Sequence, residues 1–207
     1  MRGHQGADRR DHPRRHCRRR HRLRGKPGAG DDGPSGRRRL CRSKLHFIGH
    51  LQTNKVKQVV GKADLIESVD SERLLRAIDE QAGKLGIVQD VLLEVNVAGE
   101  ESKSGISPEE LPALAQLADK LEHMCLCGLM AIPPISHEPG ANIPYFSAMR
   151  QLFVDIKRKM SDNQNRFMCL SMGMSGDYED AVAQGATLVR VGTALFGPRP
   201  PMHPEKQ

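Results

Sequence analysis

Residues 167–193 read FMCLSMGMSGDYEDAVAQGATLVRVGT. Phe167 to Ser171 is a largely apolar run of strand length. Asp177 to Gln184 has helical spacing and is closed by Gly185, and Thr187 to Thr193 is a second strand. A strand, a helix and a strand in so few residues imply two parallel strands joined by a crossover helix. Small polar residues and glycines collect where each strand ends, in SMGMSGD (171–177) and in Gly192-Thr193. Where a fold places such residues depends on its architecture, so the rest of the chain decides what this unit belongs to.

The same alternation runs back to Leu45. LHFIGH (45–50) is a short apolar run, followed by helical spacing in NKVKQVV (54–60). LIESV (65–69) reads as a strand. Asp70 or Ser71 then caps a helix with Leu74, Leu75, Ile78, Ala82 and Leu85 on one face. VLLEVNV (91–97) is the clearest strand. Ser107, Pro108 and Glu110 stand as N-cap, N1 and N3 of a capping box before a helix carrying Leu111, Leu114, Ala115, Ala118 and Leu121. Cys125 to Ile132 is a strand, and residues 144–160 form a helix with Phe146, Met149, Phe153 and Ile156 inward.

Six strands separated by helices imply a parallel sheet with helices outside it, either an open doubly wound sheet or a (β/α)8 barrel. The strand ends favour the barrel. Its chemistry lies in the loops after the strands, and phosphate is often held after the last two. Here Gly49-His50, Asn96 to Gly105, Ser171 to Asp177 and Gly192-Thr193 all follow strands. Backbone N–H groups in SMGMSGD, with Ser175 and the start of the next helix, are read as an anion cradle. Gly192 admits an anion close to the backbone, and Thr193 adds a hydroxyl. Arg190, two residues before Gly192, shares its strand face. The alternative reading is a glycine-containing turn with an ordinary Asp cap.

Composition changes near residue 44. Residues 1–44 hold 16 Lys and Arg against 4 Asp and Glu, a local charge of +12; the remainder holds 16 basic and 21 acidic residues, or −5. The pI of about 9.4 therefore describes one end of the chain. After Met1 the large aliphatic residues of that end are Leu23 and Leu40, too few to offset the entropy of ordering it. Three readings stand: a basic arm for nucleic acid or anionic surfaces, a disordered tail without a role, or a translation from the wrong frame or start. Expected domains are a disordered Arg-rich segment over 1–44, a folded domain over 45–199 and a tail over 200–207.

Cysteines at 17, 41, 125, 127 and 169 are odd in number and lack paired zinc spacing, which suggests reduced thiols and a cytoplasmic protein. His12, His16, Cys17 and His21 sit among arginines that oppose a cation. No apolar run reaches the ~18 residues of a membrane span.

HFIGHLQTNK (46–55), VNVAGEESKSG (95–105), GLMAI (128–132), LSMGMS (170–175) and VRVGTALFG (189–197), together and in this order, resemble the pyridoxal phosphate homeostasis protein family. That family shares the barrel domain of bacterial alanine racemases, and the resemblance covers about residues 45–198. It implies a (β/α)8 TIM-type barrel that binds pyridoxal 5′-phosphate (PLP). It also implies a role in buffering the cofactor or passing it to PLP-dependent apoenzymes, without catalysis. By position, Met174, Ser175, Gly192 and Thr193 would hold the phosphate; Ser171 is counted among the cofactor-binding candidates, and His50, from its place at a strand exit, is read as lining the site. Arg190 would face the pyridine nitrogen and keep it unprotonated, which weakens the ring as an electron sink.

The chain departs from the family at its start. The Schiff-base lysine of the first strand, in a Val-Ser-Lys-Thr-like motif, has no counterpart, nor has the Phe-Gly-Glu-Asn-like end of the second. Lys26 and Lys44 lack the matching context. The expectation is a barrel without its first two β-α units, impaired in holding the cofactor. Lys103 reads as a solvated loop lysine, with adventitious imine formation as the alternative. His46 reads as a satisfied core histidine, and Cys125 and Cys127, on one strand face, as buried inert thiols. Two other functions compete. A racemase-like enzyme needs a base on each face of the substrate carbon, and one of these is usually the missing lysine. A nucleic-acid binder would act through the basic arm, but the arm lacks aromatic residues.

Overall fold

A computed structural model describes residues 44–100, 103–136, 138–160 and 164–198. All of them belong to one compact unit, Leu40–Gln207. The readings made for 1–43 and for the tail 200–207 fall outside the described residues.

The strands are β1 His46–Phe47, β2 Leu65–Val69, β3 Gln89–Glu94, β4 Met124–Met130, β5 Cys169–Met174 and β6 Leu188–Arg190. The α-helices are α1 Val56–Val59, α2 Glu72–Lys84, α3 Leu111–Lys120, α4 Ile143–Lys159, α5 Tyr178–Ala183 and α6 Thr193–Phe196. The sheet order is the chain order, β1 to β6, and every neighbouring pair is parallel. A doubly wound sheet reverses its order at a switch point; this one does not, so the architecture is the barrel type.

The sheet is also curled. The Ser171 hydroxyl on β5 donates to Glu67 Oε2 on β2 at 2.6 Å. In a flat sheet, strands three places apart lie about 14 Å from one another. Only curvature brings these two side chains into contact. The result is an arc of a (β/α)8 barrel with helices outside.

The apolar core lies between sheet and helices. Ile66, Val91, Leu93, Leu126 and Leu129 from the strands pack on Leu74, Leu75, Ile78, Leu111, Phe146 and Phe153 from the helices. The inner face is thinner: Leu65, Leu92 and Met130 form a small cluster with Cys127 and Cys169. The rest of that face is polar, with buried Glu67, Glu94 and Ser171.

Local signals act as their chemistry requires. The Ser71 hydroxyl accepts from Leu74 N–H at the start of α2. Ser107 and Glu110 exchange reciprocal bonds at 3.3 and 3.2 Å, the capping box, one turn ahead of α3. Some boundaries differ from the sequence reading. β3 stops at Glu94, and Val95 instead bridges Ile106 in the returning loop. β5 runs on to Met174 through Gly173, at φ 92°, where the register to β6 shifts. β6 ends at Arg190, because Gly192 turns the chain into α6 and Thr193 becomes its first residue. Leu121 lies just past α3 in extended backbone but still packs on the core.

Candidate functional site

Two strand exits meet at Ser175. Its hydroxyl oxygen accepts from Gly192 N–H at 3.1 Å and from Ala194 N–H at 3.3 Å. The turn after β5 thus places one oxygen atom where the backbone donors after β6 converge. A Cβ built on Gly176 or Gly192 would meet nothing within 4 Å, so both glycines border open space. Beside this point a cavity of about 530 Å³ runs along the Ser175–Asp180 turn to Asn142.

Asp177 behaves differently from a helix cap. It makes no side-chain bond to α5. One carboxylate oxygen accepts from Met174 N–H at 2.7 Å and the other from the Asn142 amide at 2.7 Å. The ordinary-cap reading therefore fails: Asp177 fastens the turn to the loop ahead of α4. It also occupies the Met174 N–H, so that residue can contribute to an anion site only through its backbone placement.

Beneath the cradle lies a relay of polar side chains. Arg190 donates to the Ser171 hydroxyl at 2.6 Å and to the Ala131 carbonyl at 2.8 Å. Ser171 in turn donates to Glu67, whose other oxygen lies 2.8 Å from His46 Nδ1. Burial draws the Arg190 pKa below its ordinary value, opposed by the Glu67, Glu94 and Asp177 carboxylates. The guanidinium stays charged and is fixed on the inner face at the strand exit.

Glu94, at the end of β3, is 5 % exposed. Burial and then the Asp70 charge push its pKa up to about 7, against the pull of Arg190 and His50. His50 follows β1 and faces Asp70, with Nδ1 at 3.3 Å from its carboxylate. It lines a second hollow of about 310 Å³ with Asp70, Gln52 and Asn54.

Of the residues singled out in the sequence, Met174, Ser175, Arg190, Gly192 and Thr193 gather at the exits of β5 and β6, with Ser171 inside β5 and bonded to Arg190. His50 stands apart, after the first strand of the arc, and touches Asp70 rather than that group. His46 is satisfied by Glu67, as its position suggested. Sequence reasoning missed Glu67, Glu94 and Asn142. Glu67 and Glu94 look like ordinary polar interruptions of strands, and only long-range partners reveal them.

By residue type these groups suit a phosphate monoester: two hydroxyls, open space above glycines, and the Gly192 and Ala194 N–H groups, which an anion would take over from Ser175. Arg190 is a donor in every state, so it suits an unprotonated ring nitrogen. No lysine among the described residues lies within a strand. Among the described residues, Lys44 precedes β1, at the end of the strand away from the site. Lys103 is exposed in the loop after β3. Lys55, at the end of the short turn after β1, is exposed as well.

The family model for the alanine racemase N-terminal domain matches residues 31–200. The pyridoxal phosphate homeostasis protein of Aquifex aeolicus is 48% identical over 154 residues, covering 74% of this chain and 66% of that protein. The protein of the same name from Synechocystis is 39% identical over 154 residues, 74% of this chain and 69% of its own. This chain thus spans about two thirds of the length of these curated relatives. PipY of Synechococcus elongatus, in a structure with PLP bound, is 34% identical with a TM-score of 0.69, covering 76% of this chain and 72% of PipY. Clostridium difficile alanine racemase, at 18% identity and a TM-score of 0.59, covers 77% of this chain and 41% of the racemase, and shares the fold. With the family model matched across most of the chain and these relatives at such identity, the chain belongs to the alanine racemase N-terminal domain family and, within it, to the pyridoxal phosphate homeostasis proteins.

Proposed function

We propose that this chain binds PLP reversibly at the exits of β5 and β6 and serves intracellular PLP homeostasis without turning over a substrate. The observation that carries the reading is the convergence of the Gly192 and Ala194 N–H groups on Ser175, with Arg190 fixed beneath. Ser175, Gly192 and Thr193 hold the phosphate, and the Met174 backbone shapes the turn. Arg190, braced by Ser171, meets the pyridine nitrogen. His50 lines the far rim beside Asp70. PipY, at 34% identity, has been solved with PLP bound, which supports the same ligand here. Curated relatives are named for homeostasis rather than for a reaction.

When bound, PLP supplies an electron-withdrawing ring and an aldehyde. The described residues at the exits of β5 and β6 would bind and orient it. Arg190 in place of a carboxylate at the ring nitrogen works against carbanion chemistry. The proposed setting is the cytoplasm, with PLP-dependent apoenzymes as recipients. No helix among the described residues is long and apolar enough to cross a membrane.

The test is incubation of the full chain with PLP, with and without borohydride reduction, followed by peptide mass mapping and an alanine racemisation assay. The expected result is one PLP per chain before reduction, weak and scattered pyridoxyl-lysine after it, and no racemisation. A stoichiometric label on Lys103 would replace reversible with covalent capture, and racemisation would overturn the non-catalytic reading.

A further inference from the structure

The end of the sheet away from the candidate site carries a separate cluster. Asp90, early in β3, pairs in register with Cys125 of β4, and Cys127 follows on the same face. One ligand atom from each of Asp90, Cys125 and Cys127 lies within 4.8 Å of the other two. The strand register slips between Val91 and Leu92, opposite Leu126 and Gly128. That irregularity lets β4 bend between the cysteines, and the Cys127 sulfur comes within 3.5 Å of the Cys125 carbonyl. Cys125 is buried, Cys127 half-buried and Asp90 about one third exposed, so the cluster opens to solvent through the carboxylate.

We propose that Asp90, Cys125 and Cys127 form a binding site for one thiophilic divalent metal ion of the zinc class. Two sulfurs and a carboxylate oxygen are a fitting donor set for such an ion, leaving a fourth position for water. Tetrahedral coordination at ordinary bond lengths puts ligand atoms about 3.8 Å apart, inside the 4.8 Å within which these three lie. Arg166 Nη2 lies 2.9 and 3.1 Å from the two Asp90 oxygens. Arg166 thereby orients the carboxylate from outside, as partners of metal ligands do. It also balances charge: two thiolates and one carboxylate are offset by a divalent ion and one guanidinium. On binding, each S–H bond breaks with its proton going to solvent and each sulfur bonds the metal, so two protons leave per ion and nothing is oxidised.

The full chain, kept reduced, is titrated with cadmium as a spectroscopic probe and then with zinc in weak buffer. The expected result is thiolate-to-cadmium charge-transfer absorbance saturating at one ion per chain, with two protons released. Cys127→Ser should abolish the absorbance. Asp90→Asn, at a partly exposed position that leaves the core intact, should weaken binding about tenfold or more. A Cys17→Ser/Cys41→Ser variant should bind as the parent does. Absent charge transfer, or absorbance that survives Cys127→Ser and Asp90→Asn but disappears with Cys17 and Cys41, would overturn the proposal.

Discussion

Glu94 shows how one buried carboxyl shapes the chemistry of the strand exits. It ends β3 among Asp70, His50 and Arg190, and burial is the largest influence on it. Its folded pKa of about 7 lies above the ordinary 4.5. Between those values the folded chain holds a proton that the unfolded chain has released, so stability falls as pH rises through that window. The size is on the order of 3 kcal/mol, since a tenfold change in proton affinity is worth about 1.4 kcal/mol. Glu94→Gln cannot ionise. Its thermal midpoint should lose that part of the pH slope and exceed the parent's above pH 7, as read by circular dichroism melts across pH 4–8. An unchanged slope would show that Glu94 titrates normally. Glu67 is the contrasting case: His46 and Ser171 satisfy both of its oxygens, so its burial is compensated.

At the scale of elements, the contact between β5 and α5 sets the cradle. Gly173 sits at φ 92°, and a Cβ there would lie 2.5 Å from the Ala181 Cβ of α5. Gly173→Ala therefore combines backbone strain with a clash against a buried helix residue, and should cost about 2–4 kcal/mol in urea unfolding. Adding Ala181→Gly removes the clash but leaves the strain, so it should recover part of the loss. Equal losses in the single and double variants would place the whole cost in the backbone. The helices up to α5 were legible in the sequence; α6 was not, because the last strand was read through to Thr193. The spacing of Leu74, Leu75, Ile78, Ala82 and Leu85 marks one face; the first four are buried, but Leu85 lies just past the end of α2 and is exposed. The caps were legible because their partners lie three residues away. Glu67 was not: its partners are 21 and 104 residues distant, and no local spacing encodes them. The Asp90–Cys125–Cys127 cluster escaped for the same reason, since only strand pairing adds the carboxylate.

For the molecule as a whole, all-parallel strands in chain order and a curled sheet put the exits of β5 and β6 side by side, and the convergence of Gly192 on Ser175 follows from that topology. Alternation of strands and helices was enough to expect parallel strands. The polar residues after each strand were enough to prefer a barrel. What the inner face does was harder to foresee, because a polar interior breaks the apolar pattern from which strands are recognised. The central claim is that the cradle recognises the phosphate of PLP, and calorimetric titration of the full chain with PLP and with unphosphorylated pyridoxal tests it most directly. The account predicts one PLP per chain, at least tenfold weaker binding of pyridoxal, and a loss of about tenfold for PLP in Ser175→Ala, the worth of a hydrogen bond to a charged group. Equal affinity for PLP and pyridoxal, with Ser175→Ala unchanged, would contradict it.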